Sequence, residues 1–126
     1  MDRVNPALIR PAGASPIPFV ESHAFDEDIT RHAAWSGPAL VTNIEKRLED
    51  KQPYTFTLSQ TETCFRLSYV RSGDKAIMHV HFERLANNEW YYRNGQDNND
   101  PILGRIILRM MHWEDGMVAP TPLKVS

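Results

Sequence analysis

The side chains best suited to chemistry lie on three runs of alternating residues. Thr57 and Ser59, Arg66 and Ser68, and His79 and His81 each take every second position of their run. Strand geometry sends alternate side chains to one face. These six residues therefore predict a polar face with donors from three neighbouring strands. Its strongest anion partner is Arg66, since a charged fork holds an anion better than hydroxyls do. The plainest role for Arg66 is different: a strand arginine paired with a carboxylate such as Glu62. His79-x-His81-x-Glu83 admits another chemistry, because three ligand-type side chains on one strand face can chelate an ion. A small metal-binding enzyme using His79 and His81 is thus one reading, but the further ligands it needs from a distant strand are missing. Cys64 has no assigned basic neighbour to activate it and reads as a small packing residue. No nucleophile–base pair stands out, so no catalysis is expected.

Composition narrows the classes. The chain has 126 residues, the size of one domain, with 41% apolar residues and three tryptophans. Its 14 basic and 16 acidic residues leave a net charge of -2. That balance predicts no long-range attraction to nucleic acid or to an anionic membrane. A single cysteine rules out an internal disulfide and a paired-cysteine zinc site. No run of about 18 apolar residues predicts a membrane-spanning helix. The start, Met1 to Pro6, lacks the apolar core of a signal peptide. The expectation is a monomer in the cell interior, without cofactor and without membrane insertion.

These residues need elements to hold them. Residues 1–33 carry Pro6, Pro11, Pro16 and Pro18 and read as a proline-rich arm, with a turn of helix between Glu21 and His32. A domain is expected over 34–126. Ser36-Gly37-Pro38 starts a helix near 38–49, with Leu40, Val41, Ile44 and Leu48 on one face. Alternation then predicts strands at 54–59, 65–70 and 77–82, with a turn at Ser72-Gly73-Asp74. Asn87-Asn88 turns into the aromatic strand Trp90-Tyr91-Tyr92, and 96–99 reads as a polar loop. Asp100 as N-cap and Pro101 as first residue start a second helix near 100–112, with Gly116 as its stop. The predicted fold class is α+β: a central antiparallel β-sheet flanked by two α-helices. Phe56, Leu58, Phe65, Leu67, Tyr69, Met78, Val80 and Phe82 form its apolar face, for the second helix to cover.

Several strings, in order and spacing, resemble the Src homology 2 (SH2) domain from Trp35 to the C-terminus. Trp35, Gly37 and Glu45 through Leu48 look like that family's opening tryptophan, glycine and first-helix Glu-x-x-Leu. Residues 54–59 resemble its second strand, Phe65-Arg66-Leu67-Ser68-Tyr69-Val70 its third and Met78-His79-Val80-His81-Phe82 its fourth. Glu89 to Tyr92 resembles its glycine-phenylalanine-tyrosine strand, and Asp115-Gly116-Met117 with Leu123 its Gly-Leu…Leu close.

The departures are specific. Where the family places a phosphate-binding arginine on the second strand, this chain has Ser59. An arginine often found at the start of the first helix is Val41 here. The resemblance implies a phosphotyrosine-peptide binding module with a rebuilt pocket. Arg66 would be the charged fork, Ser59, Thr61 and Ser68 hydroxyl donors, and His79 and His81 the walls. Trp90, Tyr92 and Met117 would flank the peptide-specificity pocket. The implied partner is a tyrosine-phosphorylated protein or peptide, met in a signalling adaptor or in an effector delivered into a host cell. The alternatives are an SH2-like interaction domain that binds no phosphate, and the metal-binding enzyme.

Overall fold

The structure is a computed structural model that describes residues 28–125. The sequence-predicted arm lies outside the described residues as far as position 27. A short 3-10 turn, Ile29–Arg31, precedes helix α1, Val41–Leu48. Strands β1 (Thr55–Gln60), β2 (Phe65–Val70), β3 (Ile77–Arg84), β4 (Trp90–Arg93) and β5 (Asp97–Asp100) follow. Helix α2, Leu103–Met110, and the two-residue strand β6, Thr121–Pro122, complete the order.

The sheet runs β5-β4-β3-β2-β1-β6. Neighbours from β1 to β5 are antiparallel, as expected from their short connections. At the far edge β6 joins β1 in parallel, through Thr55↔Thr121 and Phe56↔Pro122. The sheet is therefore mixed, with the parallel pairing confined to the extended tail.

Alternation along β1 to β3 separates two faces. Phe56, Leu58, Leu67, Tyr69 and Phe82 are buried in one core with Leu103, Ile106, Ile107, Met110 and Met111 of α2. Phe65, Phe82 and Trp90 meet there with ring centroids 5.6–5.9 Å apart. On the opposite face a smaller cluster joins Ile44 and Leu48 of α1 to Val70 and Val125. Helix α1 thus covers only one end of that face. The polar residues of β1, β2 and β3 occupy the remainder.

Element ends depart from expectation. Pro38 does not begin α1: Gly37, at φ +65°, gives its carbonyl to the N–H groups of Ala39 and Gln60. The chain there is spent on a turn and on the sheet, so the helix starts three residues later. The expected polar loop at 96–99 is mostly strand β5. Asp100 ends that strand and does not cap α2, although its carboxylate accepts the Ile102 N–H at 2.8 Å. It also binds Arg105 and Arg109, at 3.2 and 2.6 Å, and so ties β5 to α2. Burial pushes the Asp100 pKa up, but the Ile102 N–H and the two guanidinium groups outweigh it and leave the carboxyl below its ordinary value. Helix α2 ends at Met110, with Met111 as its C-cap, well short of Gly116.

Candidate functional site

Register brings the sequence-predicted polar residues together. Ser59 pairs with Arg66, and Arg66 with His81, across β1, β2 and β3. One step along, Thr57 pairs with Ser68, and Ser68 with His79. Two rows therefore cross the face side by side. Their side chains differ in what they have left to offer.

Arg66 is half-buried and held from two sides. Its Nε donates to Ser59 Oγ at 3.2 Å, and one terminal nitrogen donates to the Ala39 carbonyl at 3.2 Å. Ala39 lies just before α1, so the arginine bridges the sheet to the chain entering the helix. The other terminal nitrogen makes no hydrogen bond to a described residue. Ser59 is fully buried and already accepts from Arg66. It serves the site by orienting the guanidinium.

The second row is tied to helix α1. Ser68 is fully buried, and its hydroxyl lies 2.7 Å from His79 Nδ1. His79 Nε2 lies 2.8 Å from Glu45 Oε2. This Ser68–His79–Glu45 chain fastens α1 to the sheet. Glu45 was assigned no pocket role from sequence. Its signal is its place next to Ile44, at the margin of the α1 face that meets the sheet. Ser68 is thereby committed to His79, and His79, with its side chain 23% exposed, is committed to Glu45.

Thr61 is likewise committed. Its hydroxyl donates to the Cys64 carbonyl at 3.0 Å and accepts the N–H groups of Thr63 and Cys64, at 3.2 and 2.9 Å. It shapes the β1–β2 turn and has no hydrogen left for a ligand. The turn, with Arg66 and His81, lines an open depression of about 510 Å³. Glu62, Thr63 and Cys64 complete the lining. His81 is exposed, yet partial desolvation of its ring lowers its pKa below the ordinary 6.5, and the charges of Arg66 and His79 lower it further.

The sequence-predicted specificity residues separate. Trp90 and Tyr92 are 1% and 5% exposed and belong to the core under α2. Alternation along β4 leaves Tyr91 and Arg93 on the opposite face; the Tyr91 hydroxyl donates to Asp97 Oδ1 at 2.7 Å. Met117 is exposed, and its sulfur accepts the Tyr54 hydroxyl at 3.1 Å. Among the described residues, no three His, Cys, Asp or Glu side chains gather to hold a metal ion. No described helix is long and apolar enough to cross a membrane.

No protein-family model and no curated protein matches the chain. Solved structures do. The solution structure of the SH2 domain of human proto-oncogene protein VAV1 matches with a TM-score of 0.50 and 15% identity, over 79% of this chain and 72% of that one. The VAV1 SH2 domain complexed with a tyrosine-phosphorylated peptide from SLP76 matches with a TM-score of 0.50 and 12% identity, over 91% and 99%. At these identities the likeness is one of fold, and it fits the mixed sheet with a helix on each side.

Proposed function

We propose that this SH2-like domain binds tyrosine-phosphorylated peptides, as a recognition module and not an enzyme, through Arg66. One observation carries the reading: Arg66 is the cation of the cross-strand row Ser59–Arg66–His81 and lines the open depression beside the β1–β2 turn. A phosphate entering there takes the terminal nitrogen that bonds no described residue and displaces the Ala39 carbonyl from the other. That exchange is favourable, because a bond between guanidinium and phosphate is stronger than one to a neutral carbonyl. Ser59 keeps Nε in place meanwhile, and protonated His81 adds a second donor.

The test is titration of a phosphotyrosine peptide into the protein and its Arg66→Ala variant. Removing the guanidinium should cost about 2–5 kcal/mol of binding, which ends measurable affinity. Ser59→Ala should weaken binding only modestly, because Ser59 acts through Arg66. Equal affinities for wild type and Arg66→Ala would dismiss the role given to the arginine. A second reading, an interaction domain without phosphate binding, is favoured by the bonds Arg66 already makes and by the acidic rim residue Glu62. Absence of binding to either protein would select it.

A further inference from the structure

The charges around the depression do not balance once a phosphate lies in it. Arg66 lines the depression and bonds two neutral groups, Ser59 and the Ala39 carbonyl. The other basic side chains of this face are engaged: Arg93 with Asp97, and His79 with Glu45. The His81 ring, with its pKa below 6.5, is largely uncharged at neutral pH in the free protein. Against Arg66 stand two carboxylates with no hydrogen bond or ion pair to a described residue, those of Glu62 and Glu83. Glu62 belongs to the lining of the depression. Glu83 lies two residues beyond His81 on β3, on the same face by alternation. One position past the pair Phe65↔Phe82 come Glu83 on β3 and, ahead of β2, Cys64, which is also part of the lining.

We infer that the domain selects peptides in which basic residues flank the phosphotyrosine, with Glu62 and Glu83 as the selecting groups. This rests on the proposed role of Arg66 in phosphate binding. A phosphomonoester brings about −1.5 to −2 charges at neutral pH. Arg66 offsets one of them, while Glu62 and Glu83 place further negative charge beside the phosphate. A lysine or arginine in the peptide offsets what is left and meets either carboxylate. A glutamate there meets only like charge. Two strand residues span about 7 Å, so Glu83 stands within reach of a long side chain next to a phosphotyrosine held at His81. Selectivity comes as much from rejecting the wrong sequence as from attracting the right one, and the two carboxylates do both.

The experiment uses the full 126-residue chain and one phosphotyrosine peptide made in three forms, flanked on both sides by arginine, glutamine or glutamate. An exposed ion pair contributes up to about fivefold in affinity, and like charges remove a similar factor. At low ionic strength wild type should therefore prefer the arginine form over the glutamate form by about fivefold or more, and the preference should shrink as salt rises. Glu62→Gln combined with Glu83→Gln should remove at least half of that preference. Each substitution alone should remove part of it, which keeps the test if the double variant does not fold. Glu49→Gln with Asp50→Asn makes the same change of charge at exposed positions past the far end of α1 from Ala39, and should leave the preference intact. A smaller preference in wild type, one that the rim variants leave intact, or one lost equally in the α1 control overturns the inference and leaves the proposed function standing. Binding of no phosphopeptide overturns both.

Discussion

His81 stands where a proton changes the charge of the candidate site. Its free pKa lies below 6.5, chiefly through partial desolvation and then through Arg66 and His79. Around it lie Glu62 on the turn, Glu83 farther along β3, and Glu45 of α1 behind His79. A bound phosphate dianion favours the protonated ring and raises its pKa in the complex. Binding then takes up a proton between the two values, so affinity climbs as pH falls through that window and levels off below the free pKa. A rise of one pKa unit corresponds to about tenfold in affinity. The ligand's own second ionisation, near about 6, works in the opposite sense. The readout is therefore the difference between wild type and His81→Gln across pH 5 to 8. Parallel pH profiles for the two proteins would show that the ring does not face the phosphate. At this scale the row Ser59–Arg66–His81 is legible in the sequence, because period-two alternation decides which side chains share a face. It concealed that Thr61 and Ser68 are consumed by a turn and by His79. Those partners depend on hydroxyl direction and on a helix 34 residues from His79.

The elements tell a similar story about ends. Strands β1 to β3 were legible because each alternates for at least six residues. The start of α1 and the close of α2 were not, since backbone bonds of the surrounding chain decide them. Helix α2 closes with a Schellman motif. Trp113 N–H bonds to the Leu108 carbonyl at 3.0 Å, and His112 N–H to the Arg109 carbonyl at 3.1 Å. Leu108 and Trp113 both pack against the core, giving the motif its apolar contact. The residue that turns the chain is His112, at φ +56°. A side chain in that left-handed region costs roughly 1–2 kcal/mol, which glycine avoids. His112 is also exposed, so little packing is lost on its removal. His112→Gly should therefore stabilise the protein by roughly 1 kcal/mol after the entropy glycine adds to the unfolded chain. For a domain of this size that raises the melting temperature by about 4–8 °C. An unchanged or lower melting temperature would show that His112 holds the turn by a contact glycine cannot make.

The molecule as a whole raises the question of where its fold begins. The sequence places a boundary at residue 33, just before Trp35 and the first apolar periodicity. The core reaches further back. Ile29, 6% exposed, lies in the same cluster as Phe56 and Leu58, and Ala34 is fully buried among them. The Ala34 carbonyl accepts Leu58 N–H at 2.9 Å and the Thr57 hydroxyl at 3.0 Å. Asp28 fixes the turn leading in, with its carboxylate taking the N–H and the hydroxyl of Thr30, at 3.0 and 2.7 Å. Ile29 is thus a core residue supplied by a segment that looks like a linker. A single isoleucine in a proline-bearing stretch carries no period by which to recognise it. Burying such a side chain is worth about 1.5–3 kcal/mol. A chain beginning at 28 should unfold cooperatively in urea. One beginning at 34 should also fold, but with its stability lowered by about that amount and an unchanged denaturant slope. Substituting Ile29→Ala in the longer chain separates the side chain from its segment, and should reproduce most of the loss. Equal midpoints for the chains starting at 28 and 34 would show that Ile29 rests on the domain without stabilising it.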